Sequence, residues 1–185
     1  KPHKIPVLSC NDAGLSMFKK KHPPIGARPG TLIISEDAPC TQVRFVRYSK
    51  EDLEQGTVTR IEEIPDDLGP DEQMWVDVQG FGDVELLQKI FRRFNVHPLA
   101  AEDLVNVPQV PKSEAYQDQQ LIVVKVADIK EDEAIKISQI GTILGPQFVL
   151  TFRPEHSELL CPVYKRLQLS SSRLRHNRAD YLAYV

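Results

Sequence analysis

Apolar and polar positions along the chain alternate between strand-sized runs and stretches with helical spacing. Thr31–Ser35 and Gln42–Tyr48 read as strands separated by a turn around Glu36–Pro39. In the second, Val43 and Phe45 alternate with Arg44, Val46 and Tyr48, so both faces are partly apolar, as in a sheet covered on both sides. Ser49 offers an N-cap for a short helix over Lys50–Gln55, ended by Gly56. Met74–Gln79 is the next strand, with Trp75 as a core anchor at its start. Asp83 then caps a helix whose apolar stripe is Leu86, Leu87, Ile90, Phe91 and Phe94, with Glu85, Gln88, Lys89, Arg92 and Arg93 on the other side. Glu85 and Lys89 stand at i,i+4 in the favourable order for a surface pair.

Asn95 suits the left-handed conformation at that helix's end. His97-Pro98 opens a second helix, which must stop before Pro108, and His97 is expected to cap or pack at its start. Glu102 and Asp103 are adjacent and point to different sides, so they read as partners for a neighbouring strand rather than as a metal pair. Gln120–Ile129, Ile135–Leu144 and Phe148–Phe152 follow as antiparallel strands in hairpin order, joined by the polar turn Lys130–Asp132 and by Gly145-Pro146. A helix over His156–Leu169 is predicted from Leu159, Leu160, Val163, Tyr164 and Leu167. A polar segment leads to a last helix opened by Arg178–Leu182, cut off at Val185 in its first turns, as in a longer protein. The fold class predicted is α/β: an α/β/α sandwich with a mixed parallel and antiparallel sheet between helices.

Residues 1–30 contrast with this. Pro2, Pro6, Pro23, Pro24 and Pro29 and the basic run Lys19–Lys21 describe an extended arm. With 185 residues the rest is enough for one domain with a sizeable core, and 41% hydrophobic content fits a globular chain. A net charge of -3 gives no support to a nucleic-acid partner. No run approaches the roughly 18 apolar residues that would span a bilayer. The three cysteines form no C-x-x-C pair, and the five histidines have no zinc-ligand spacing. No phosphate loop, dinucleotide fingerprint or nucleophile elbow is present, so the chain is not expected to be an enzyme. Gly80-Phe81-Gly82 precedes a helix, but Asp83 would repel an anion there. Between Glu51 and Glu72 nine acids face one arginine, Arg60, which reads as loop solvation with weak cation accumulation as a second reading.

Several segments stand in an order and spacing that together resemble the cytoplasmic domain of the CorA family of divalent-cation, chiefly magnesium, transporters. They are Trp75-Val76-Asp77-Val78, Asn95-Val96-His97-Pro98-Leu99, Glu102-Asp103-Leu104, Asn106-Val107, Pro111-Lys112, Tyr116 and Arg178-Ala179-Asp180-Tyr181-Leu182. The resemblance covers about residue 29 to residue 184 and implies a cytoplasmic domain over residues 31–185. It implies a homopentamer in the full-length protein, held in the plasma (inner) membrane by stalk and transmembrane segments that this chain does not contain. Magnesium is implied as both the regulatory and the transported ion, with cobalt, nickel or zinc as alternatives, zinc for a second branch of the superfamily. The family's regulatory carboxylates lie between neighbouring cytoplasmic domains and favour the closed state. By ungapped alignment one falls on Glu85; the Arg178–Tyr181 segment places another nearby, Asp180; Asp83 is a substitute for Glu85 whose capping role competes. A separate reading needs no resemblance. Lys165, Arg166, Arg173, Arg175 and Arg178, with no acid between Leu159 and Ala179, would form a docking patch for an acidic partner in a soluble interaction module. A small hydrolase or transferase with a site assembled in space is the remaining alternative.

Overall fold

The computed structural model describes Gly26, residues 30–129 and residues 135–185. The expected arm over residues 1–30, apart from Gly26 and Gly30, and the turn Lys130–Asp132 lie outside the described residues. Among the described residues, seven strands form one sheet: β1 (Gln42–Tyr48), β2 (Leu53–Val58), β3 (Gln73–Gln79), β4 (Lys112–Tyr116), β5 (Gln119–Ile129), β6 (Ile135–Leu144) and β7 (Phe148–Arg153). Their spatial order is β2-β1-β3-β7-β6-β5-β4, with only β3 and β7 parallel. Helices α1 (Val84–Arg93) and α2 (Pro98–Val105) cover one face; α3 (Cys161–Gln168) and α4 (Ala179–Tyr184) cover the other. The α/β/α sandwich with a mixed sheet is the fold of this chain.

The two cores follow from the period-2 pattern of the strands. Val43, Phe45, Met74, Val76, Val78, Leu150 and Phe152 point to α1 and α2. Val46, Tyr48, Trp75 and Val149 point to Tyr164, Leu167, Leu174 and Leu182 on the other side. Trp75 is the expected core anchor, 2% exposed and stacked on Tyr164 with ring centroids 4.2 Å apart. Asp83, Asn95 and His97 take their expected places: Asp83 caps α1, Asn95 has φ +50°, and His97 Nδ1 accepts from the Leu99 amide at 3.2 Å.

Four segments fold differently from what their local sequence predicts, each with a tertiary cause. Lys50–Gln55 is not a helix. Ser49 Oγ accepts from the Asp52 amide at 3.0 Å in a tight turn, and the chain returns as β2 with Gly56 under the Phe45 ring. Thr31–Ser35 does not join the sheet; its Ile33 amide donates to Asn106 Oδ1 at 3.0 Å instead. β4 (Lys112–Tyr116) was not expected, because a polar edge strand carries no apolar run; Lys112 Nζ ties it to Asp103 of α2 at 2.7 Å. The helix predicted over His156–Leu169 starts only at Cys161, with Pro162 in its first turn. The residues before it are drawn into other bonds: His156 Nε2 donates to the Cys40 carbonyl at 2.9 Å, and the Ser157 amide donates to Gln79 Oε1 at 3.1 Å.

The Ser157–Gln79 bond joins a buried polar cluster centred on Asp77, which has no exposure to solvent. Asp77 Oδ1 accepts from Thr151 Oγ1 at 2.7 Å, and Thr151 Oγ1 accepts from Trp75 Nε1 at 3.1 Å. Oδ2 accepts from Arg153 at 2.6 Å, Gln79 Nε2 at 3.0 Å and the Tyr164 hydroxyl at 3.2 Å. Arg153 also donates to the carbonyl and hydroxyl of Ser157. Burial first, and the Asp77 carboxylate second, push the Tyr164 phenol's pKa well up, which keeps it a donor. Removing one partner of such a pair strands a buried charge, whereas replacing both with apolar groups does not. Asp77→Ala is therefore expected to lower stability by about 3–5 kcal/mol in urea unfolding, and Asp77→Leu with Arg153→Met by clearly less than the sum of its single changes.

Candidate metal site

Asp83 and Glu85 owe their positions to the turn between β3 and α1. The Gly80 amide donates to the Arg153 carbonyl at 2.9 Å, the Gly82 amide to the Pro39 carbonyl at 2.8 Å, and the Asp83 amide to Thr41 Oγ1 at 2.9 Å. Gly80 has φ +74°, and a Cβ there would overlap the Cys40 and Pro39 carbonyl oxygens, so the close approach requires glycine. These amides are occupied by the protein itself, which removes them as donors for an anion. Asp83 Oδ1 then accepts from the Leu86 amide at 2.9 Å, the N-cap bond.

Glu85, in the first turn of the helix, is 76% exposed in its side chain and forms an ion pair with Lys89 Nζ at 2.8 Å. The Glu85 carboxylate pushes the Lys89 ammonium's pKa up. Asp83, Glu85 and Lys89 line a surface depression of about 400 Å³ with Thr59, Arg60, Ile61, Glu62 and Leu86.

Glu62 and Thr59 were not singled out by the sequence reading. They reach α1 because the 3-10 turn Ile61–Glu63 is anchored there. Ile61 and Ile64 are buried, and Arg93 donates to the Ile61, Ile64 and Pro65 carbonyls at 2.6–2.8 Å. It also pairs with Asp66 at 2.8 Å. Arg93 is thus a clamp rather than a solvated charge of the outer helix face. The acidity of the segment was legible, but the docking of this turn on α1 was not. Arg60 is held by Glu63 at 2.9 Å, and that arginine lowers the Glu63 carboxyl's pKa.

Asp180 lies elsewhere in the protomer. It is in the first turn of α4, exposed, with Oδ1 accepting from the Tyr181 amide at 2.9 Å. The preceding Ala179 amide donates to Gln73 Oε1 at 2.9 Å, which pins the start of α4 to the first residue of β3. Asp83 follows the other end of that strand. Asp180 is therefore separated from Asp83 and Glu85 by the length of β3, roughly 20 Å at a strand's rise, and lies on the opposite face of the sheet. It lines a different depression, with Gln117, Asp118, Gln120, Gly145 and Arg178. Among the described residues, no group of three or more His, Cys, Asp or Glu is placed to hold a metal ion. In a single copy, Asp83 and Glu85 thus line one depression and Asp180 another.

Residues 71–184 match the family model described as CorA-like Mg2+ transporter protein. The chain belongs to that family. It is 28% identical over 164 residues to the cobalt/magnesium transport protein CorA of Thermotoga maritima, an alignment covering 86% of this chain and 46% of that protein. The chain thus spans about half the length of the curated relative it matches. Its fold is like that of the full-length CmaX protein, with a TM-score of 0.55 and 13% identity over 69% of this chain and 39% of that one. The complete CorA magnesium transporter of Methanocaldococcus jannaschii aligns with a TM-score of 0.49 and 15% identity over 68% of this chain and 36% of that one.

Within this CorA-family chain the segments noted in the sequence have structural roles as well. Asp103 pairs with Lys112 of β4, as expected of a partner for a neighbouring strand, whereas Glu102 Oε2 accepts from the Gly30 amide, outside any strand, at 2.9 Å. The basic segment is divided: Arg175 is buried and donates to the Ser49, Lys50 and Leu167 carbonyls, so it is no part of a docking patch. Among the described residues, no helix is long and apolar enough to cross a membrane.

The two acids of α1 differ in what they do for the fold. Asp83→Ala removes an N-cap and is expected to lower stability by about 1 kcal/mol. Glu85→Gln breaks only an exposed i,i+4 pair and is expected to leave stability near that of the unmodified protein. Thermal unfolding of the two variants checks the contrast.

Proposed function

We propose that this chain is the cytoplasmic ion-sensing domain, over residues 31–185, of a CorA-like magnesium channel-transporter. In this reading Glu85 and Asp83 of one subunit, and Asp180 at another edge of the interface, supply carboxylates to divalent-cation sites between subunits. Bound cation favours the closed state. The full-length protein is a pentamer in the plasma membrane with this domain on the cytoplasmic side, and it carries out no covalent chemistry.

The observation that carries the reading is the location of these acids on a member of this family. All three are exposed, and they stand at opposite ends of β3 and on opposite faces of the sheet. In one copy they cannot share an ion; copies arranged in a ring can present them to one another. The donors in the depression at α1 are carboxylates and a hydroxyl. Such hard oxygen donors suit magnesium, which keeps much of its water and binds through one or two carboxylates. Zinc-binding sites draw on histidine and cysteine, neither of which lines this depression, so the magnesium branch is preferred to the zinc branch.

The energetics are within reach of weak sites. Without cation, facing carboxylates repel; bound cation turns that repulsion into attraction. Moving a two-state equilibrium from mostly open to mostly closed takes about 5.5 kcal/mol of differential binding, or about 1 kcal/mol at each of five interfaces. In the full-length protein, Glu85→Ala with Asp180→Ala is expected to shift closure to higher magnesium in a flux assay. An unchanged magnesium dependence in that double variant would reject these residues as the sensors.

A further inference from the structure

We propose that Lys89 is a tethered competitor for the cation at Glu85, so that it sets the concentration at which a divalent ion takes that carboxylate. The inference rests on Glu85 being a cation ligand and adds what governs its occupancy. Lys89 Nζ lies 2.8 Å from Glu85 Oε1, one helical turn along the same face. Two other charged groups of the depression are already engaged. Asp83 is committed through one oxygen to the Leu86 amide, and Arg60 is held by Glu63. Lys89 is therefore the cation that an incoming ion must displace from Glu85.

The displaced ammonium has somewhere to go. Glu62 lines the same depression and also attracts Lys89. Lysine is suited to such exchange, because its ammonium is a compact, hydrated point charge on a flexible stem. A group tethered by a short flexible link competes at an effective concentration of the order of millimolar. A magnesium ion that keeps most of its water and meets only one or two carboxylates binds weakly, in the range where such a competitor matters. The pair itself is exposed and weak, so it tunes the site without closing it. Removing it is expected to shift occupancy about two- to threefold.

The test is a titration of detergent-solubilised full-length protein with magnesium chloride, followed by calorimetry and by protection against trypsin. Lys89→Gln is expected to lower the magnesium midpoint about two- to threefold, whereas Lys89→Arg, which keeps the charge, leaves it near that of the unmodified protein. Glu85→Gln should raise the midpoint, and adding Lys89→Gln to it should then have no further effect. If Glu85→Gln raises the midpoint but Lys89→Gln leaves it unchanged or raises it, Lys89 is no competitor and Glu85 stands as a ligand alone. If Glu85→Gln has no effect on binding, Glu85 is not a ligand, and both inferences fall together.

Discussion

A carboxylate sealed from water at the parallel β3–β7 pair imposes conditions on everything around it. Asp77 must keep its charge compensated and its lone pairs filled, because a buried unpaired carboxylate is far more costly than any single contact nearby. Its partners come from separate parts of the chain: Gln79 from the same strand, Thr151 and Arg153 from β7, and Tyr164 from α3. Bringing them together holds β7 in register beside β3 and seats α3 on the face opposite α1. It also draws Ser157 in through Arg153, which accounts for the late start of α3.

The same strand connects this cluster to the exposed acids. At its C-terminal end, the glycines of the turn lie against the carbonyls of Pro39 and Cys40, and Thr41 receives the Asp83 amide. At its N-terminal end, Gln73 receives the amide of Ala179 and so sets the first turn of α4, where Asp180 sits. The buried interactions therefore determine where the surface charges appear, although none of Asp77's hydrogen-bond partners bonds to them. Exposed carboxylates have little energetic hold of their own; they are as well placed as the elements that carry them.

The surface at α1 has a composition suited to weak, exchangeable binding. Carboxylates of Glu62, Asp83 and Glu85 stand near the cations Arg60 and Lys89, and several of these groups already have partners on the protein. In the function proposed for it, such a surface would answer to concentration rather than retain its ion, as the sensing of an abundant cation requires.

Local signals in the sequence determined much of the frame. The Asp83 cap, the α1 stripe, the left-handed Asn95, the His97-Pro98 start and the hairpin strands β5 to β7 all depend on neighbouring residues. Their physics acts over one turn of helix or one strand pair. The family pattern was legible for the same reason, since it consists of these short segments in order. Tertiary structure decided the rest. Ser49 served a turn instead of a helix because β2 could pair with β1; His156–Leu160 stayed out of α3 because Cys40, Gln79 and Arg153 took their polar groups. Arg93 and Arg175 look like surface charges in sequence and are clamps on distant carbonyls in the fold. The approach of Glu62 to Glu85, and the separation of both from Asp180, likewise came from packing. Such contacts join residues tens of positions apart, and a one-dimensional pattern carries no record of which distant carbonyl or carboxylate a side chain will meet.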